Sequence, residues 1–179
     1  MVRDWTLSRR DCEVVNKYRK QYRLGFAIQL CAMRLYGRFL NQLHDLSPRV
    51  ISYLSSQLDL PPTLTVEVPE REATVLEHRN NILKYLGFHR FDDKVEADLD
   101  RWIEEHAQQG LLPDELFHRA ERHLLLKRIV LPGPTTIERQ IIRICNQVHA
   151  QLFEQVFDQM SPELRDAIDD LLQATDGNQ

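Results

Sequence analysis

Helix-capping residues, prolines and glycines interrupt this chain at short intervals, and the segments between them repeat apolar residues with the period of an α-helix. Ser8 with Asp11, and Ser47 with Pro48, have the form of helix starts. Gly87 follows a periodic segment at the position of a helix end. A chain punctuated in this way predicts many short helices joined by short connections.

One segment, TLTVEVP at residues 63–69, alternates like a strand. A single strand has no partner to pair with, so we expect an extended linker there. The sequence therefore predicts an all-α fold of about eight helices in small helix-turn-helix-like modules. Proline-rich breaks suggest three segments: 1–61, a first helical module; 62–133, a second; and 134–179, a long helix followed by a C-terminal amphipathic helix.

The segment RLGFAIQLCAMRLYGRF, residues 23–39, poses the main functional question because arginines interrupt an apolar helix. At 100° per residue, Arg23, Arg34 and Arg38 would form one basic stripe along its edge. The face expected in the core comprises Leu24, Ala27, Ile28, Cys31 and Leu35. The stripe is either a solvated face or a surface for an anionic partner.

Two further groups of basic residues strengthen the second interpretation. Lys17, Arg19 and Lys20 lie just before the apolar helix. The second group flanks a Pro-Gly-Pro turn and comprises Lys127, Arg128, Thr135, Thr136, Arg139 and Arg143. The sequence TTIE from Thr135 has the form of a capping box, and a helix N-terminus next to basic side chains suits phosphate binding. The alternative here is an ordinary helix cap with surface arginines.

Charge is strongly segregated along the chain, although the net charge is only −4. Residues 1–38 carry a net +6 and residues 122–145 a net +4, whereas 91–121 carry −7 and 146–179 carry −6. The mildly acidic average would argue against a nucleic-acid partner, but the basic blocks favour one.

Several classes of protein are disfavoured. Cys12, Cys31 and Cys145 are odd in number and far apart, which argues against disulfides and zinc. No apolar run approaches the roughly 20 residues that span a bilayer, and the N-terminus does not resemble a signal peptide. We therefore expect a cytoplasmic protein.

Enzyme motifs are missing as well. The glycines are isolated, and neither GxSxG nor HExxH occurs. His118 with Glu121, and adjacent carboxylates such as Asp169-Asp170, are typical of solvated helix faces. We expect no catalytic residue, no metal site and no cofactor in this chain.

Four segments together resemble one family. In order they are RLGFAIQLCAMRLYGRF; PRVISYL with the following Gln57-Leu58; EH-x-x-x-I-x-x-x-LGF at residues 77–88; and RIVLPGPTTIER at residues 128–139. Their order and spacing are similar to the amino-terminal region of the Tn-three family of replicative bacterial transposases, and the resemblance runs from Trp5 to the last helix.

The resemblance implies a function. Such transposases bind the terminal inverted repeats of the transposon with N-terminal modules, and a distant RNase H-like domain with an Asp-Asp-Glu site cuts the DNA. A region like this one would bind double-stranded DNA, work with the remainder of the transposase, and contain no catalytic domain.

The expected DNA contacts follow from helix geometry and not from the family. They are Lys17, Arg19, Lys20, Arg23, Arg34, Arg38, Lys127, Arg128, Thr135, Thr136, Arg139 and Arg143. The alternative function is a protein-interaction module, whose acidic helices at 93–109 and 161–173 would dock other transposase domains or a host factor.

Overall fold

The computed structural model describes residues 3–43, 46–61 and 66–168. Its 3₁₀ turns and helices are η1 Arg3–Trp5, α1 Arg9–Val15, η2 Lys20–Tyr22, α2 Arg23–Tyr36, α3 Pro48–Gln57, α4 Glu72–Leu86, α5 Asp93–Gln108, α6 Pro113–Leu126 and α7 Pro134–Gln159. Residues 162–168 are also helical. The predicted all-α class and the number of helices are confirmed.

Extended structure is scarce in the described residues. Residues 66–69 have no regular structure, and the rest of the predicted linker, 63–65, lies outside the described part. One isolated parallel bridge joins His89 to Ile129. No helix in the described ranges is long and apolar enough to cross a membrane.

The chain forms two compact units. Unit 1 comprises Met1–Asp92 and Glu121–Pro132, and unit 2 comprises Asp93–Ala120 and Gly133–Gln179. Helix α6 contributes its N-terminal part to unit 2 and its C-terminal part to unit 1. These boundaries differ from the sequence segments, whose division into binding modules stays a prediction.

Helix α2 is the centre of unit 1 and contacts α1, α3, α4 and both 3₁₀ turns. Leu24, Ala27, Ile28 and Cys31 are buried as expected, and Leu35 is half-buried. Four more apolar side chains of α2 that point away from this face are also buried: Phe26, Leu30, Ala32 and Met33. Burial of α2 therefore includes the face expected in the core and extends well beyond it.

The same helix ends earlier than predicted. Its last residue is Tyr36, because Gly37 adopts the left-handed conformation with φ 64°. The Gly37 N–H donates to the Met33 carbonyl, and its own carbonyl accepts from the N–H of Leu131 at 2.9 Å. Arg38 thus lies beyond the helix, and the continuous stripe of three arginines does not exist.

The core of unit 2 is formed mainly by α5 packed on α7, with Leu99, Ile103, Ile137, Ile141 and Ile144 among its buried residues. Burial along α7 ends at Val148, although apolar residues continue through Leu152 and Val156. Residues 149–159 are all exposed.

The capping box predicted at Thr135 is wrong. The N-cap of helix α7 is Gly133, two residues before Thr135, Pro134 lies in the first turn, and no side chain caps the helix. Proline fits the first helical position because its missing N–H and fixed φ cost nothing there. Thr135 therefore lies inside the helix.

The capping box at Ser8 is confirmed, and its carboxylate extends into the core. Asp11 accepts from the Ser8 N–H at 2.8 Å, from Arg34 of α2 at 2.7 Å and from the hydroxyl of Tyr85 of α4 at 2.8 Å. Only 1% of Asp11 is exposed. One buried carboxylate thus joins α1, α2 and α4.

Electrostatics at Asp11 favour its ionised form. Burial would raise the pKa of this carboxyl, but the hydrogen bonds from Ser8, Arg34 and Tyr85 outweigh burial and lower the pKa below its ordinary value of 3.8.

Substitution of Gly37 tests the helix end. Gly37→Ala should destabilise unit 1 by about 1–2 kcal/mol more than Gly87→Ala. Both glycines have positive φ, 64° and 69°. A Cβ at Gly37 would overlap the Leu125 side chain, whereas one at Gly87 would have Arg128 at 4.0 Å as its nearest neighbour. Urea denaturation measures the difference, and equal losses would mean that packing around Gly37 does not matter.

Asp11→Asn should cost about 1–3 kcal/mol at neutral pH, because it removes a charged acceptor from three donors. Because the pKa of Asp11 is lower in the folded protein than in the unfolded chain, the ionised carboxylate stabilises the fold at pH values above the unfolded-chain pKa. This stabilisation is lost as the pH falls through the pKa of the folded protein. The free energies of unfolding of parent and variant should therefore converge below about pH 4. A constant difference between pH 7 and pH 3 would show that the ionised form is not required.

Candidate nucleic-acid interface

The connection between α1 and α2 is held by Arg23. Its Nε donates to the Tyr18 carbonyl at 3.0 Å, and a terminal nitrogen donates to the Asn16 carbonyl at 2.9 Å. These carbonyls follow the end of α1, where backbone acceptors lack helical partners. Arg23 therefore fixes the path of the turn, a role that its position in the sequence did not reveal.

The ring of Tyr18 anchors the same turn to the core of unit 1. It stacks on Phe26 with centroids 4.1 Å apart and meets the edge of His78 at 4.6 Å. Burial raises the pKa of the Tyr18 hydroxyl and lowers the pKa of His78, so both rings are neutral at neutral pH.

Lys17, Arg19 and Lys20 project from this anchored connection and are exposed. We call these three residues the basic turn. No ion pair within the described residues involves them. Three cationic side chains on a fixed backbone, without internal counter-charges, can bind successive phosphates of a nucleic acid.

The other two arginines predicted in this region have partners inside the protein. Arg34 pairs with buried Asp11 at 2.7 Å, and Arg38 pairs with Glu121 at 2.6 Å. About a third of each arginine side chain is exposed, 36% and 30%. Both contribute to packing within unit 1, which sequence spacing could not reveal because the acidic partners are distant in the chain.

The second predicted group is divided between the two units. Lys127 and Arg128 belong to unit 1, whereas Thr135, Thr136, Arg139 and Arg143 belong to unit 2. Lys127 is exposed. Arg128 has φ 55°, donates to the Leu86 carbonyl at 3.0 Å and lies over the Phe88 ring at 5.8 Å.

In unit 2, the predicted residues occupy the first turns of α7. Arg143 pairs with Asp100 of α5 at 2.6 Å. Arg139 donates to the carbonyl of Thr135 at 3.1 Å. Thr135 is exposed and Thr136 is half-buried. An acidic neighbour thus offsets the charge of Arg143.

Net charge separates the two units more sharply than it separates sequence blocks. Unit 1 contains 17 Lys/Arg and 11 Asp/Glu, a net +6, whereas unit 2 contains 6 and 16, a net −10. A polyanion is therefore attracted to unit 1 and repelled by unit 2.

Sequence reasoning missed two arginines of unit 1. Arg79 and Arg90 line a cleft of about 400 Å³ together with Phe39 and Phe91. Both arginines lie in the segment 39–90, whose net charge is close to zero, so a search for basic blocks passes over them. Only the folded chain brings them together with aromatic rings.

Comparison with known proteins finds one matching family model and several similar proteins. The family model described as Domain of unknown function (DUF4158) matches residues 1–144. The transposase for transposon Tn1546 of Enterococcus faecium is 28% identical over 94% of this chain and 17% of its own length. The transposase for transposon gamma-delta of Escherichia coli (strain K12) is 32% identical over 87% of this chain and 16% of its own.

A third relative, the transposase for transposon Tn3926 of Escherichia coli, is 27% identical over 99% of this chain and 18% of its own length. The chain thus spans less than a fifth of the length of these curated relatives. The resemblance to Tn-three family transposases is confirmed.

Arg34→Gln should destabilise the protein by about 1–3 kcal/mol, because it leaves the buried Asp11 carboxylate without its cationic partner. Arg19→Gln on the exposed basic turn is the matched control and should change stability by less than about 0.5 kcal/mol. Urea denaturation measures both. Equal stability of the two variants would mean that Arg34 is a surface residue after all.

Proposed function

The chain belongs to the DUF4158 family, and we propose that it is the N-terminal, DNA-binding part of a Tn-three family transposase. Its target is the terminal inverted repeat of the transposon. Catalysis belongs to another part of the same polypeptide, and this part supplies no catalytic residue, metal ligand or cofactor. The remainder of the transposase is its second partner, and the cytoplasm is its compartment.

The observation that carries this proposal is the basic turn of unit 1. Lys17, Arg19 and Lys20 are exposed without internal counter-charges, while Arg23 and the Tyr18 ring hold their backbone. A preorganised set of cations loses little conformational entropy when it meets a row of phosphates. The net +6 of this unit steers duplex DNA toward it.

The remaining predicted contacts have secondary roles in the proposal. Arg34 and Arg38 keep exposed N–H groups beyond their ion pairs, since a guanidinium has five donors. Lys127 and Arg128 add charge to unit 1. The N-terminal turn of α7 with Thr135, Thr136, Arg139 and Arg143 would be a second, weaker contact. Binding by two helix-turn-helix modules, 1–61 and 62–133, belongs to the same proposal.

One observation favours the alternative, a protein-interaction module. In acidic unit 2, the exposed end of α7 carries Leu152, Phe153, Val156 and Phe157, with 44% to 74% of each residue accessible. Exposed apolar clusters of this kind mark docking sites, and a basic amphipathic helix of another transposase domain would complement this one. Duplex binding remains the better-supported function, because the cations of the basic turn can bind phosphates without a second protein domain.

Simultaneous substitution of Lys17, Arg19 and Lys20 by alanine should weaken duplex binding strongly. Each lost phosphate contact lowers the salt slope of log K by about 0.9, so the triple variant should lose up to about 2.7. Fluorescence anisotropy with a labelled transposon-end duplex, repeated from 50 to 300 mM salt (on the order of physiological ionic strength), measures both the affinity and its slope.

Lys94→Ala with Arg101→Ala is the control, because both residues are exposed in unit 2 and their loss also lowers the net charge. This control should keep the parent slope. If the triple variant and the control bind duplex with the same affinity and slope, the basic turn is not a DNA contact. If the parent itself binds no duplex, the alternative function replaces this one.

A further inference from the structure

The cleft that contains Arg79 and Arg90 has a composition unlike that of the basic turn. Its apolar lining comes from Phe39, Phe91 and the 130–132 segment, with Leu76 and Leu83 of α4. The volume of about 400 Å³ lies within the range of sites that hold small organic ligands. A recess that combines two cations with aromatic rings suits a ligand with an anionic group and an apolar, planar part.

Arg79 lacks a partner for part of its guanidinium. Its Nε is inaccessible to solvent and donates no hydrogen bond within the described residues. The guanidinium lies over the Phe39 ring at 5.3 Å, which holds the side chain in the cleft. Because this Nε is closed to solvent, a ligand in the cleft could meet Arg79 only through the terminal nitrogens of its guanidinium.

Arg90 is the second cation and is also held in place. One terminal nitrogen donates to the Asn80 amide oxygen at 2.6 Å, and the remaining N–H groups stay accessible. Asn80 accompanies Arg79 on α4, so one helix orients both guanidinium groups. Both arginines line the same cleft, so their positive charges together attract an anionic group into it.

The wall of the cleft is fixed by backbone hydrogen bonds. The His89 N–H donates to the Arg128 carbonyl at 2.8 Å, and the Val130 N–H returns to the His89 carbonyl at 2.9 Å. The Leu131 N–H donates to the Gly37 carbonyl at 2.9 Å. Phe39, Phe91 and Leu131 therefore lie at or within two residues of positions held by these hydrogen bonds, and the cleft is formed without a ligand.

We propose that this cleft binds one unpaired nucleotide of DNA, with its phosphate on Arg79 and Arg90 and its base against Phe91. Base stacking on an aromatic ring is favourable and accepts any base. Paired bases keep their faces stacked inside the duplex and cannot enter a concave apolar recess. The site therefore selects single-stranded or frayed DNA, and it acts separately from the duplex contact of the basic turn, on whose DNA-binding function it rests.

The experiment uses the full chain and a short single-stranded oligonucleotide with one 2-aminopurine, together with the duplex of the same sequence. Stacking quenches 2-aminopurine, so binding in the cleft should lower its fluorescence. Arg79→Gln with Arg90→Gln should weaken single-strand binding at least tenfold and change duplex binding less than threefold. Phe91→Leu, which keeps both arginines, should remove most of the quenching.

Arg71→Gln is the matched control, because Arg71 is exposed at the start of the same helix and does not line the cleft. Circular dichroism and thermal melting check that each variant is folded. The proposal is overturned if the double variant binds the single strand like Arg71→Gln. It is also overturned if an oligo-glutamate peptide with an aromatic residue binds more tightly than the oligonucleotide and depends on the same arginines.

The two proposals fail in different ways. If the parent protein binds the single strand but not the duplex, the proposed duplex-binding function is wrong and the proposal for the cleft stands. If the double variant Arg79→Gln with Arg90→Gln binds the single strand like the parent, the proposal for the cleft is wrong and the proposed duplex contact stands.

Discussion

The buried carboxylate of Asp11 is the interaction on which the architecture of unit 1 depends. It caps α1 through Ser8, receives the guanidinium of Arg34 from α2, and receives the hydroxyl of Tyr85 from α4. A buried charge is tolerated only when its hydrogen-bonding capacity is filled. Because three elements fill it, displacement of any one of them leaves the carboxylate with an unfilled hydrogen bond, and this specifies how α1 and α4 pack on α2.

The anchored turn is a direct consequence of that packing. With α1 and α2 fixed against each other, their short connection must reverse direction, and Arg23 satisfies the carbonyls that the reversal exposes. The neighbouring cations Lys17, Arg19 and Lys20 are exposed to solvent. The same sequence block therefore contains arginines that build the fold and cations that are available to a ligand, and charge counting treats them alike.

The separation of charge between the two units bears on the proposed duplex binding. A unit of net +6 attracts a polyanion, whereas the acidic unit of net −10 repels one. Its exposed α7 end is suited to a protein neighbour instead.

Local chemistry explains which features the sequence determined by itself. The all-α class, the cap at Ser8 and the helix end at Gly87 depend on nearby residues and were predicted correctly. The exception at Thr135 was also local, because Pro134 took the first helical position and moved the N-cap by two residues, to Gly133. The family resemblance also depends only on the order of residues in the chain, and four short motifs indicated it.

Tertiary structure alone decided the roles of the arginines. The partner of Arg34 is 23 residues away and that of Arg38 is 83 residues away. No periodicity within one helix reports such distances, because ion pairs between elements depend on how the elements pack. The cleft has the same origin: Arg79, Arg90 and Phe91 are near one another in the sequence, but Phe39 and the 130–132 segment, which complete its lining, are distant from them in the chain.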